Sequence, residues 1–148
     1  MSEETRLILT APPTAAREAS SYGLPIGHMA YRVGAGAHLL RANIPINLRG
    51  GLMVVDSRGF DGRGDVGAFC QQVIRECSAR GFDGVILDFE GRSHPLLGQA
   101  VNRLGTLLNR RGWPLYVTEE YVNFSDRARV IIPSALSGGS LRKRLSEA

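Results

Sequence analysis

Six short apolar runs punctuate the chain, each followed by a turn signal and usually by a helical pattern: "RLILTAP" (Arg6 to Pro12), "HMAYRVG" (His28 to Gly34), "GLMVVDS" (Gly51 to Ser57), "GVILDFE" (Gly84 to Glu90), "PLYVTEE" (Pro114 to Glu120) and "RVIIPSA" (Arg129 to Ala135). A strand with one wet face alternates polar and apolar residues, whereas uninterrupted apolar runs suit strands covered on both faces, as in parallel sheets. Two intervening segments read as helices. After Asp65 as N-cap, Val66, Phe69, Cys70, Val73, Ile74 and Cys77 recur at helical spacing and Gly81 supplies a stop. After Ser93 and His94, Pro95 suits a first helical turn, Leu97, Ala100, Val101, Leu104 and Leu108 form the apolar stripe, and Gly112 ends it. The connectors around Thr14 to Ser21 and Ala37 to Asn43 are shorter and less defined. Alternating strand and helix predicts an α/β fold with right-handed crossovers, either an open doubly wound sheet or part of a (β/α) barrel.

At 148 residues the chain makes a single domain, 1–148, large enough for a real core. Of its 18 basic residues all but Lys143 are arginine, scattered rather than clustered apart from "LRKR", so the net charge of +4 does not mark a nucleic-acid partner. Cys70 and Cys77 lie seven apart on one predicted helix, about 10 Å along its axis, too far for a disulfide. The N-terminus carries Glu3 and Glu4 where a signal peptide needs bases, and no run approaches the ~20 apolar residues of a membrane span. A cytoplasmic protein without a membrane partner is the expectation.

Carboxylates gather where the strands end. Asp56 closes the third run, Asp88 and Glu90 the fourth, and Glu119 and Glu120 the fifth. In parallel α/β folds the carboxyl ends of the strands form the working face, so these acids would share one rim. The period of two puts Ile86, Asp88 and Glu90 on one side of the fourth strand and Val85, Leu87 and Phe89 on the other. Asp83 is out of phase with them and fits the turn that leads into the strand.

The stretch "FDGVILDFE" resembles the fourth-strand signature D-G-x-D-x-D-x-E of glycoside hydrolase family 18, the chitinase-like (β/α)8 barrels; Asp83, Gly84, Asp88 and Glu90 match it, and "RGFDG" leads into it as expected. The resemblance implies a partial TIM-type barrel of about six strands acting on β-1,4-linked N-acetylglucosamine glycans such as chitin or peptidoglycan. It makes Glu90 the general acid and Asp88 the residue that orients the sugar's 2-acetamido group, which itself attacks the anomeric carbon. Asp83 would support them, while Asp56, Glu119 and Tyr121 are candidates for contacting the substrate, and no cofactor is required. Two departures stand in the sequence. Ile86 occupies the place of the family's middle Asp, and a complete barrel takes about 250 residues. The alternative is therefore a non-catalytic glycan-binding or structural remnant whose sheet is completed by a partner, a second copy or a further C-terminal segment.

Other readings are weaker. Acids after strands also cap helices or pair with arginines, and Arg49, Arg58 and Arg92 stand nearby. Trp113, Tyr116 and Tyr121 are potential sugar-stacking platforms, Trp113 more readily a core residue. "RVGAGAHL" lacks the third glycine of a dinucleotide fingerprint, where Leu39 stands, and "SALSGGS" needs no phosphate to explain it. His28, His38 and His94 show no metal-ligand spacing.

Overall fold

The computed structural model describes residues 9–11, 26–42, 50–89 and 94–130. Among the features expected above, the Thr14 to Ser21 connector, Arg49, Glu90, Arg92, Ser93, "SALSGGS" and "LRKR" lie outside those residues. The strands are β1 (Leu9–Ala11), β2 (Ile26–Val33), β3 (Leu39–Arg41), β4 (Leu52–Asp56), β5 (Gly84–Asp88), β6 (Leu115–Val117) and β7 (Ala128–Val130). The helices are α1 (Val66–Arg80) and α2 (Pro95–Arg110), and a 3-10 segment covers Glu119–Phe124.

Six strands form a parallel sheet in the order β1-β2-β4-β5-β6-β7, with β3 antiparallel on β2. The order never reverses, which separates this winding from the doubly wound alternative. With right-handed crossovers, a sheet that adds each strand on the same side carries all its helices on one face. The packing agrees: Met53, Val55, Val85, Leu87 and Val117 share one buried cluster with Phe69, Val73 and Cys77 of α1, Leu97, Val101 and Leu104 of α2, and Tyr121 of the 3-10 segment. The opposite face carries a smaller cluster of Leu52, Val54, Ile86 and Tyr116, with Met29 against it.

The sheet curls toward that second face. Strands β2 and β5 are separated by β4, about 10 Å apart in a flat sheet. Yet a Cβ placed on Gly27 would lie 3.0 Å from Ile86 Cδ1 and 2.7 Å from Val54 Cγ2. Glycine at position 27 leaves the room in which the two side chains converge. Among the described residues β1 and β7 remain unpaired with each other, so the sheet is open.

Local chemistry sets the helix ends. The Asp65 carboxylate accepts from the Ala68 backbone N–H at 3.1 Å, and Gly81, at φ 69°, closes α1 in the left-handed conformation that costs glycine little. Helix α2 starts on Pro95, whose missing N–H is one that no helix start could pair, and its apolar stripe is wholly buried. Gly98 and Gly105 interrupt α2 for a packing reason. A Cβ on Gly98 would come 2.5 Å from Phe124 Cε1, and one on Gly105 would strike Ser125 Oγ. These two gaps seat the segment that joins β6 to β7, and Asn102 Nδ2, on the same side of the helix, donates to the Phe124 carbonyl at 2.9 Å.

The connector after β2 differs from the short helical link expected there. A single 3-10 turn, Ala35–Ala37, reverses the chain into β3, with Gly34 N–H bonded to His38 O at 2.8 Å. Helix α1 holds the returning strand: Gln72 Oε1 accepts from Leu39 N–H at 2.9 Å, and Glu76 Oε2 accepts from Arg41 Nη1 and from Tyr31 Oη, both at 2.8 Å. A three-residue strand held by side chains from elsewhere has too little pattern of its own to be read from sequence.

Candidate functional site

Register places the acids. Asp56 and Asp88 are direct partners across β4 and β5, and Arg32 of β2 is the partner of Asp56. Registered residues of neighbouring parallel strands point to the same side. Leu52 and Val54 precede Asp56 at period two, and Ile86 precedes Asp88, so the row Arg32, Asp56, Asp88 crowns the concave face at the carboxyl ends of the strands. Adjacent strands stand about 4.8 Å apart, so the two carboxylates are neighbours.

Asp56 is engaged by its own loop. Its Oδ1 accepts from Arg58 N–H at 2.9 Å and its Oδ2 lies 3.2 Å from Arg58 Nη2, a turn plus an ion pair in which Arg58 is 79% exposed. This is the arginine pairing foreseen for such an acid, and it loads Asp56 with a structural task beside any contact with substrate. Asp61, in the same loop, accepts from the backbone N–H groups of Gly36 and Arg63 at 3.1 Å each. These bonds hold its carboxyl below the usual range and clamp the loops after β2 and β4 together.

Asp88 sits half-buried between a wholly apolar layer and the rim. Ile86, fully buried, fills the layer beneath it with Val54, Tyr116 and Met29. An apolar side chain therefore packs where the family signature carries its middle carboxylate. Phe89 turns to the helix side and stacks edge-on to Tyr121 at 5.6 Å. Glu90, the expected acid, lies outside the described residues.

The remaining sequence candidates divide. Asp83 stands at the opposite end of β5, where its Oδ2 accepts from Gly51 N–H at 3.1 Å and its own N–H donates to Gly51 O at 2.7 Å. It fixes the tight Gly50–Gly51 turn into β4, in which both glycines have positive φ, and it takes no part in the rim. Glu119 and Glu120 are exposed in the first turn of the 3-10 segment. Tyr121 is buried, its ring between Phe89 and Phe124, which leaves it a wall residue and not an open stacking platform. Burial raises its hydroxyl pKa, opposed by a hydrogen bond with the His94 backbone and assisted by the charge of Glu120. Trp113 packs against the core with the Arg111 guanidinium 5.4 Å from its ring centroid.

Thr118 was not singled out by sequence. It follows β6 directly, and extending the Leu87–Val117 register by one step puts it beside Asp88. It is buried, and its Oγ1 has no hydrogen-bond partner among the described residues. A buried hydroxyl left unpaired is costly, so this one calls for a partner at the rim, a need that water meets as readily as a ligand. The only sequence signal was a polar residue ending an apolar run.

Among the described residues no group of three or more His, Cys, Asp or Glu could hold a metal ion, and no helix is long and apolar enough to cross a membrane. No protein-family model, curated protein or solved structure matches the chain.

Proposed function

We propose that the chain forms part of a (β/α)8-type barrel similar to glycoside hydrolase family 18 and acts on β-1,4-linked N-acetylglucosamine glycans of the chitin or peptidoglycan type. The observation that carries this reading is the position of Asp88. It ends β5 on the concave face of a singly wound sheet, at the rim where (β/α) folds do their chemistry, with Asp56 beside it.

In this mechanism Glu90 donates its proton to the glycosidic oxygen as the bond to the anomeric carbon breaks. The acetamide oxygen of the same sugar supplies the electron pair that replaces it, and Asp88 accepts a hydrogen bond from the acetamide N–H and stabilises its developing positive charge. Water then attacks the anomeric carbon, giving a proton to the Glu90 carboxylate and restoring the acetamide. The protein needs no nucleophile of its own, which suits a rim whose other carboxylate, Asp56, is tied to Arg58. In this reading Thr118 Oγ1, buried beside Asp88, supplies a further hydrogen bond to the same sugar.

The burial of Ile86 favours a second reading, glycan binding without turnover, because no third carboxylate lies beneath Asp88 to share its proton. Hydrolysis of a chromogenic N-acetylglucosamine oligomer by the parent protein and by Glu90→Gln, run beside calorimetric binding of the unlabelled oligomer, separates the two. Turnover lost in Glu90→Gln supports the enzyme. Binding without turnover in either protein supports the second reading, and absence of both discards the glycan assignment.

A further inference from the structure

Outside the concave face, the described residues form a groove of about 720 Å³ between α2 and the 3-10 segment. Its size falls within the range of small-molecule sites. One wall is the exposed side of α2, with Pro95, Gln99, Asn102 and Arg103 at positions one, five, eight and nine of the helix. The other is Glu120, Tyr121 and Phe124 of the 3-10 segment. Phe124 is 45% exposed, one of only two large apolar side chains so exposed among the described residues.

Its exposure is built in. The ring sits over Gly98, where any side chain would displace it, and the Phe124 carbonyl is held by Asn102. Its ring centroid lies 5.7 Å from that of Tyr121, the two rings tilted by 34°, and Tyr121 meets Phe89, the residue after Asp88. A ladder of three aromatic rings therefore runs from the end of β5 to the groove and fixes the outermost one in place.

The groove's chemistry limits what it can take. Arg103 and Glu120 cancel in formal charge, so neither an anion nor a cation is favoured. Gln99 and Asn102 offer both donors and acceptors, and Phe124 offers a flat apolar face. A ligand that matches has no net charge, one C–H face and several hydroxyls of mixed donor and acceptor character, which describes a neutral pyranose. We propose that this groove is an accessory saccharide-binding site, occupied by a neutral oligosaccharide of the class proposed for the rim. It rests on that glycan reading for the identity of the sugar.

The test uses the N-acetylglucosamine trimer, titrated into isotope-labelled protein while backbone amide shifts are followed at Gly98, Gln99 and Tyr121 in the groove and at Asp56, Asp88 and Thr118 on the rim. The proteins compared are the parent, Phe124→Ala, Phe124→Tyr and Asp88→Asn. Groove amides are expected to respond in the parent and in Asp88→Asn. Phe124→Ala should weaken that response about tenfold, the loss typical of truncating an aromatic anchor, and Phe124→Tyr, which keeps the platform, should restore it. Rim shifts with a silent groove overturn the accessory site and leave the rim reading standing. Groove shifts with a silent rim uphold the accessory site and remove the rim reading. Silence at both removes both, and a groove response unchanged in Phe124→Ala overturns the role given to the ring.

Discussion

The two faces of β5 are one residue out of phase and have different tasks. On the helix side Val85, Leu87 and Phe89 are apolar to the end of the strand and meet α1, α2 and the 3-10 segment. On the concave side the pattern changes after Ile86, from a sealed apolar layer to the carboxylate of Asp88. The helix face holds the fold together, and the concave face gives up burial at its rim to present charge. An acid is costly in the first setting and tolerable in the second, because two residues further along the concave face the strand ends at the rim.

The largest effect expected from this contrast is on Leu87→Asp. An unpartnered carboxylate facing the helices should cost more than about 4 kcal/mol and leave little folded protein by circular dichroism. The same substitution one residue earlier, Ile86→Asp, puts a carboxylate on the concave side, at the position where the resembling family signature has one. It should fold with a loss of about half that size, shrinking as the pH falls and the new acid takes up a proton. Urea denaturation at two pH values measures both, and equal losses would erase the distinction between the faces.

Next in size is Gly98→Val, which has to push Phe124 off α2. Overpacking of this kind costs about 2 kcal/mol, and the loss should be accompanied by a change in the Tyr121 environment seen by fluorescence. Removing the α1 cap with Asp65→Ala should cost about 1 kcal/mol in urea, with the fold otherwise unchanged.

Acid sensitivity comes from the opposite end of the sheet. His28 is buried, and its Nε2 lies 3.2 Å from the Gly50 carbonyl, so the proton sits on Nε2 and the ring is neutral. Desolvation lowers its pKa from 6.5, partly offset by that bond. Below 6.5 the unfolded chain binds a proton that the folded chain resists. The stability this group supplies is complete above that pH and is lost as the pH falls toward its lowered folded value. Glu76 behaves similarly at lower pH. Burial raises its pKa, but the hydrogen bonds from Arg41 and Tyr31 and the charges of Arg41 and Arg80 bring it below 4.5, so its contribution disappears only under that value. Unfolding free energy should therefore fall between pH 7.5 and 5.5 in the parent, and the slope over that interval should flatten in His28→Gln. The smallest change belongs to Arg58→Ala, an exposed pair whose loss should stay under about 0.5 kcal/mol.

Much of this fold is legible in sequence because its signals are local. Asp65, Gly81 and Pro95 mark helix ends through their own backbone chemistry, and runs such as "LMVVD" and "GVILD" declare doubly covered strands. The antiparallel β3 is not legible, since its hold comes from Gln72 and Glu76, more than thirty residues away. The same limit applies to the site. Period two puts Asp88 on the side of Ile86, but that Asp56 is its neighbour follows only from register, and Thr118 becomes visible as a candidate only once its hydroxyl is seen buried without a partner among the described residues. Asp83 shows the reverse: it matches a sequence signature, yet its hydrogen bonds to Gly51 place it at the far end of the strand.

The sharpest contrast is between Asp88, proposed to orient the sugar's acetamide, and its registered neighbour Asp56, whose carboxylate is tied to Arg58. Calorimetric binding of the N-acetylglucosamine trimer to Asp88→Asn and Asp56→Asn tests it directly, with the groove weakened by Phe124→Ala in both and in the parent they are compared with. The parent rim is expected to bind, Asp56→Asn to stay within about threefold of it, and Asp88→Asn to lose tenfold or more, since about 1.4 kcal/mol separates each decade. Equal binding by the two variants, or no rim binding in the parent, would contradict it.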